Sequence, residues 1–372
     1  MIYADHAATT PVSLQALSAM MPYFTQASGN PSALYHLGRQ ARHAVEKARA
    51  DIASCLHAQP EQIFFTSGGT ESDNWALRAA MCIHPSKTIV TTRVEHHAVL
   101  QTCQALKREG VQIRFCEVDD KGVVSKCAPE VLCGAGLVSV MLANNEIGSI
   151  EPVQEIAAAA HAAGALVHTD AVQAVGHIPV HVDVLDVDFL SASAHKFNGP
   201  KGIGFLFARD PSSLRPLLYG GGQEHGMRSG TENVPAIAGM AAALQAHNAA
   251  MKKNTLHLQK LERVTKSILT DGIPQVQFQG AAKRIPGSIS VSLPYVSAEK
   301  MLHYLDLHEI CVSSGSACNA KRTETSHVLR AIGLPEFLAQ GTLRITYGYE
   351  NTQEEAIQLA KAIVAGYGKL KR

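Results

Sequence analysis

The chain has 372 residues, of which 46% are apolar and 17% charged, a composition that supports a large core and roughly two domains of ordinary size. Its formal net charge is +1 with no basic or acidic block, which excludes the electrostatic footprint of direct nucleic-acid or anionic-membrane binding. No apolar stretch is long enough to span a bilayer, and Met1–His6 lacks the basic and apolar regions of a secretory signal, so the expected location is the cytoplasm.

From 13 to 250, β-rich apolar runs alternate with helical segments. The runs are Ile63–Phe65, Thr88–Thr92, Val111–Phe115, Leu137–Leu142, Leu166–Thr169, Phe189–Ser191 and Ile203–Phe207. Ala-rich helical patterns fall at Glu71–Met81, Ala98–Glu109 and Val153–Ala163, with another at Pro235–Asn248. This alternation predicts an α/β domain with a mostly parallel central sheet and helices on both faces. From 251 the pattern changes to a charged amphipathic stretch (Lys252–Leu269), then a strand at Ser288–Leu293 and a helix at Ala298–Glu309. A loop of small residues around Cys318 follows. The chain closes with a helix at His327–Ile332, a strand at Thr342–Tyr347 and a helix at Gln353–Gly366. A smaller α+β domain is expected here, with residues 1–12 as an extended arm docked on it. The domains are therefore 13–250, and 1–12 together with 251–372.

Eight cysteines stand at 55, 82, 103, 116, 127, 133, 311 and 318. They form no C-x-x-C pair and show no zinc-like His/Cys spacing, so no metal is expected. In a reducing cytoplasm disulfides are not expected either. Cys55, Cys82 and Cys103 fall in helical patterns and read as small core residues. Cys318 differs, because it sits among small polar residues in Cys311-Val-Ser-Ser-Gly-Ser-Ala-Cys318.

Three segments carry chemistry. Ser191–Gly202 reads S-A-S-A-H-K-F-N-G-P-K-G; small residues let a ligand approach the backbone, and Lys196, crowded by Ser and His donors near a strand end, suits a Schiff base. A solvated surface lysine is the ordinary alternative. Ala165–Asp170 reads as a strand ending in a carboxylate, where open α/β sheets place ligands. In pyridoxal phosphate enzymes a carboxylate keeps the pyridine nitrogen protonated, although Asp170 as a plain helix cap is an equal reading by itself. Ser67-Gly-Gly-Thr70, between a strand and a helix start, offers free N–H groups and a positive dipole end to an anion. It is neither a Walker A loop nor G-x-G-x-x-G, so nucleotide binding is not favoured.

These pieces, in this order, resemble the cysteine desulfurases of the bacterial sulfur-mobilising type, within the fold-type I pyridoxal phosphate enzymes. The markers include A-D-H-A-A-T-T-P at 4–11, T-S-G-G-T-E-S-D-N at 66–74, V-E-H-H-A-V-L at 94–100, N-N-E-I-G at 144–148 and H-T-D-A-V-Q at 168–173. A-H-K-F-N-G-P-K-G at 194–202, M-R-S-G-T-E-N at 227–233, S-S-G-S-A-C at 313–318 and L-R-I-T-Y-G at 343–348 complete a match that runs almost end to end. The resemblance implies Lys196 as the Schiff-base lysine, His96 as the histidine stacked on the ring, Asp170 as the pyridine-nitrogen partner and Gln173 as donor to the phenolic oxygen. It implies Gly69, Thr70, Ser193 and His195 as the phosphate cup, and Thr231 as a phosphate contact from the other subunit of a homodimer. Asn145 and Arg344 match groups around L-cysteine and its carboxylate, and Cys318 matches the nucleophile that becomes a persulfide.

The expected partners are L-cysteine and a sulfur-acceptor protein, such as an iron–sulfur scaffold or a protein of tRNA thiolation or DNA phosphorothioation. A selenocysteine lyase or another class V aminotransferase-family enzyme fits Lys196, Asp170 and Thr70 equally, and Cys318 in its loop argues against the aminotransferases. A non-catalytic binding subunit would not need Lys196, Asp170, His96 and Cys318 together. Departures from the family pattern are His6 after Asp5, Gly69 where Ala is common, the basic pair Lys321 and Arg322, and a short end after the last helix. The last of these leaves no tail for docking a scaffold.

Overall fold

The computed structural model describes residues 1–315 and 325–371, so Cys318, Lys321 and Arg322 lie outside the described residues. In chain order the strands are β1 (Ile2–Tyr3), β2 (Ile63–Thr66), β3 (Thr88–Thr92), β4 (Gln112–Val118), β5 (Val124–Lys126), β6 (Leu137–Ser139) and β7 (Leu166–Asp170). They continue with β8 (Phe189–Ser193), β9 (Gly204–Ala208), β10 (Gln277–Gln279), β11 (Ser288–Ser292), β12 (Ile310–Cys311), β13 (Ser313–Ser314) and β14 (Thr342–Thr346). Each of the seven runs expected in 13–250 contains a strand, although the Leu137–Leu142 run is strand only over Leu137–Ser139.

Eight strands form one sheet in the order β2-β9-β8-β7-β6-β3-β4-β5. Strands β4, β3, β6, β7 and β8 run parallel to their neighbours in that row. Strand β9 is antiparallel to both β2 and β8, and β5 to β4. The central strands are nearly continuous runs of buried residues, as a sheet covered on both faces requires. Because β7 and β8 are adjacent and parallel, with Asp170 opposite Ser191, their carboxyl ends deliver Asp170 and the Ser193–Lys196 turn to one place. Helices Gly69–Ile83, His97–Arg108 and Val153–Ala162 occupy three of the expected segments.

A second core lies under the four-stranded sheet β10-β11-β14-β13, where Ile289, Val291, Leu343 and Ile345 are fully buried against the helices Ala298–Asp306 and Gln353–Leu370. The N-terminal arm joins it: β1 pairs in parallel with β12, and Asp5 bridges to Thr346.

Two long helices depart from the sequence expectation. His36–Leu56 is a helix that the alternation reading does not mark; Ala41, Val45, Ala48 and Ile52 recur on its buried face, a stripe of mostly small residues thinned by charges between them. Val234–Gly272 is one continuous helix rather than a helix to Asn248 and a separate amphipathic stretch. Its first half packs Ile237, Met240 and Leu244 into the large-sheet core and its second half packs Leu258, Leu261 and Leu269 into the other. The change of character near 251 is a change of partner, not of backbone.

The cysteines also depart. Cys103 is buried as expected, but Cys82 is exposed and Cys55 half-buried. Cys116 and Cys127 form a disulfide with Cα atoms 5.4 Å apart, against the expectation of none. The antiparallel pairing of Glu117 with Lys126 on the next rung sets the two thiols opposite each other. No helix among the described residues is long and apolar enough to cross a membrane.

Candidate active site

A cavity of about 610 Å³ opens at the carboxyl ends of the parallel strands, and strand β14 and the N-terminal arm close its far wall. Its lining includes every site residue expected from sequence except Thr231, which is exposed, and Cys318, which lies outside the described residues.

At the anion end, β2 hands the chain through Ser67-Gly68 into the helix Gly69–Ile83. The amides of the first helical turn have no acceptor within the helix. Gly68 has φ +151° and a Cβ there would approach the Ser193 hydroxyl to 3.4 Å; a Cβ on Gly204 would meet the Gly68 Cα at 2.7 Å. Glycine is thus required where β9 and the turn touch. Glu71 in this first turn would repel an anion, but Arg228 Nε donates to it at 2.9 Å. Burial opposes its ionisation, yet hydrogen bonds from Arg228 and Ser67 win and hold Glu71 below the usual glutamate value.

Lys196 follows β8 on a short 3-10 turn, and its ammonium donates to the Ala7 and Ala8 carbonyls at 2.6 and 2.9 Å. The arm that carries these carbonyls is clamped on the same turn: the Thr10 amide and hydroxyl both donate to the His195 carbonyl at 2.9 Å. Gln173 Nε2 also donates to the Ala7 carbonyl, at 3.0 Å. His195 meets the Thr9 hydroxyl at 3.2 Å. Burial and then the neighbouring Lys196 and Lys201 charges push its imidazole down to about 4, so it is neutral.

At the opposite end stands Asp170, 5% exposed, with Oδ1 accepting from the Val172 amide at 2.9 Å. Burial and then the Asp73 carboxyl push it up to about 6, against the pull of His96 and the Val172 amide. His96 caps the helix His97–Arg108, its Nδ1 accepting from the Ala98 amide at 3.1 Å. The proton of the neutral ring therefore sits on Nε2. Burial lowers its basicity, with Asp170 opposing.

On the β14 side, Arg344 is 4% exposed. Its Nη1 donates to the Asn145 carbonyl at 2.9 Å and its Nη2 to Asp5 Oδ1 at 2.8 Å, while its buried Nε has no acceptor among the described residues. Glu146, beside Asn145, accepts from the Ser326 hydroxyl. Burial pushes it up to about 7, with Ser326 and Arg344 opposing.

Sequence reasoning missed Asp73, Glu146 and the two arm carbonyls as parts of this lining. Asp73 carried a readable signal: it lies on the helical stripe of Ala76, Leu77 and Ala80, where a charged residue is out of place. The carbonyls of Ala7 and Ala8 carried none, since every residue has one.

Residues 2–359 match the family model for aminotransferase class-V. Over 362 residues the chain is 44% identical to a cysteine desulfurase IscS of Dictyoglomus turgidum, covering 95% of this chain and 91% of that one. A solved NifS-like protein superposes with a TM-score of 0.92 at 37% identity, covering 99% of this chain and all of the other (100%). SspA in complex with cysteine superposes with a TM-score of 0.81 at 31% identity, over 95% of this chain and 100% of that one. The chain belongs to the aminotransferase class-V family, among its cysteine desulfurases.

Proposed function

We propose that the chain binds pyridoxal 5′-phosphate and, as a homodimer, transfers the sulfur of L-cysteine to Cys318, releasing L-alanine. The observation that carries this reading is the convergence of Lys196, Asp170, the open helix start at Gly69 and the Arg344 guanidinium on one cavity.

The residues fit the cofactor. The first-turn amides with Thr70, Ser193 and His195 would hold its phosphate, Asp170 its ring nitrogen, His96 its ring face and Gln173 its phenolic oxygen. When bound, pyridoxal phosphate supplies an electron sink for charge that develops at the substrate's Cα. Lys196 would hold the cofactor covalently, and its freed amine would take the substrate's Cα proton on Nζ. Arg344 binds the substrate carboxylate through its unpartnered Nε, a charge-assisted contact that fixes the amino acid's orientation. Asn145 lies beside it. The Cys318 thiolate then attacks the substrate sulfur: an S–S bond forms as Cβ–S breaks, the electron pair stays with the carbon fragment, and that fragment takes up protons to become L-alanine. Thiolate is the attacking form, so Cys318 must meet a setting that favours it.

The division into a domain of 13–250 and a domain of 1–12 with 251–372 belongs to this reading, as the two separate cores support. So does the dimer: Thr231, exposed on its own subunit, suits a contact with the phosphate in the other. The persulfide passes to an acceptor protein, whether an iron–sulfur scaffold or a protein of tRNA thiolation or DNA phosphorothioation.

The test is mass spectrometry after a pulse of L-cysteine. One extra sulfur on the peptide holding Cys318, lost in Cys318→Ser while cofactor binding persists, is the expected result. A persulfide on another cysteine, or undiminished alanine formation by Cys318→Ser with L-cysteine, overturns the assignment and favours a selenocysteine-lyase-like enzyme.

A further inference from the structure

Behind Asp170 lies a second carboxyl that the reading above does not use. Asp73 sits one turn into the helix Gly69–Ile83, is 1% exposed, and still lines the cavity. Side-chain atoms of Asp73, His96 and Asp170 all fall within 4.8 Å of one another. Asp73 Oδ1 lies 3.5 Å from His168 Nε2 and has no hydrogen-bond partner among the described residues. An unpaired carboxylate oxygen at this depth is expensive unless something compensates it.

The surroundings are built rather than accidental. His168 shares the Asp170 face of β7, two residues earlier, and is fully buried. Its Nδ1 meets the Ser139 hydroxyl at 2.8 Å and its Nε2 the Ser191 hydroxyl at 3.0 Å. Ser191 also eases Asp73 toward ionisation. Three strands thus contribute one side chain each to a polar row ending at Asp73. The other titratable groups that act on the pair are His96 and the buried Glu95, which follows β3. Burial drives Asp73 up to about 7 and His168 down to about 4. Below about pH 7 the pair therefore favours keeping a proton while His168 remains neutral.

We propose that Asp73 is a positioning residue for the ring-nitrogen end of the site: backed by Ser191 and His168, it sets a second carboxyl against Asp170, so that the pair together holds a protonated pyridine nitrogen. This rests on the cofactor reading above. A single buried carboxylate facing a pyridinium makes one ion pair. Two acids that resist ionising together do so readily once a cation lies against them, because the cation offsets the repulsion between them. Cofactor binding at this end is accordingly coupled to proton release from the pair.

The test uses the full chain stripped of cofactor, and pyridoxal phosphate labelled with ¹⁵N at the ring nitrogen. Wild type, Asp73→Asn and Ser191→Ala are titrated for affinity by fluorescence quenching, and the ¹⁵N shift is followed with pH. In wild type the ring nitrogen should stay protonated throughout the neutral range. Asp73→Asn, isosteric and uncharged, should bind about tenfold more weakly and lose the ring proton about one pH unit lower. Ser191→Ala should move both readings the same way by less. If the ring nitrogen of Asp73→Asn titrates as in wild type, the inference falls. If Asp73→Asn does not fold, an unchanged ¹⁵N titration in Ser191→Ala overturns it instead. A wild-type chain that binds no pyridoxal phosphate sinks the cofactor reading itself, a different and recognisable failure.

Discussion

At the Asp170 end of the cavity two buried carboxyls stand side by side, with His96 and His168, whose basicity burial lowers, as their neighbours. At the Arg344 end the guanidinium is already partly matched: Asp5 accepts from Nη2 and the Asn145 carbonyl from Nη1, while Nε has no acceptor among the described residues. Burial of the paired acids at the first end opposes their ionisation, a cost that a cation bound there would relieve. The second has its charge largely offset by Asp5, so on the proposed reading it would orient a carboxylate without trapping it. On that reading, binding energy would be concentrated where the cofactor must stay and kept modest where amino acid and product must exchange.

The contrast breaks most visibly in kinetics. Asp170→Ala should lower kcat by about 100- to 1000-fold, the usual loss for a preorganised electrostatic partner of the developing charge. Arg344→Ala should instead raise KM for L-cysteine by about ten- to 100-fold, the worth of a charge-assisted hydrogen bond, with a smaller effect on kcat. Steady-state kinetics at saturating cofactor decide this. Near-normal turnover in Asp170→Ala, or an Arg344→Ala variant that loses only kcat, would remove the asymmetry between the two ends.

A second, smaller effect lies in the stability of the cofactor-free protein. Asp73 and Asp170 have folded values pushed up to about 7 and about 6, above their unfolded values near 3.9. An acid raised in this way gives the fold a contribution fully present below the unfolded value and lost as pH rises through the folded one. Between about pH 4 and about pH 7 this pair should therefore cost the empty protein stability as pH rises. Buried His168, pushed down to about 4, works in the opposite sense over much of that window. Comparison with Asp73→Asn isolates the acid: the melting temperature of the variant relative to wild type should be higher at pH 8 than at pH 5. An equal difference at both pH values would mean that Asp73 does not titrate in the fold.

Legibility followed the same division. Lys196, Asp170 and the Ser67–Thr70 turn were readable because each is a chemical residue at the end of a strand, and the parallel order of β7 and β8 brings such ends together. The partners that give them their properties were not. Asp73 becomes a second acid only because the helix packs its stripe on the sheet, and Ala7 and Ala8 reach Lys196 through backbone carbonyls that no side-chain pattern marks. The helix Val234–Gly272 shows a related limit: the sequence registers a change of environment near 251, while the backbone runs straight through it.

Gly69 offers the finest test, because here the chain departs from the alanine common among proteins it resembles. A Cβ at this position would sit 2.5 Å from Val172 Cγ2, and Val172 follows Asp170 on the loop whose amide holds that carboxylate. Valine is β-branched and has little rotamer freedom with which to withdraw, so the clash must move either the helix start or the Val172 backbone. Gly69→Ala should cost about 1–3 kcal/mol of stability, the range for overpacking a well-filled site, although alanine favours the helix itself by up to about 1 kcal/mol. The smaller Val172→Ala change should restore most of that loss, and a double-mutant cycle by denaturant unfolding measures the coupling. The cofactor readings should move with it, since a displaced Val172 amide loosens its hold on Asp170. Additive effects of the two substitutions would show that the 69–172 contact does not connect the phosphate end of the cavity to its acidic end.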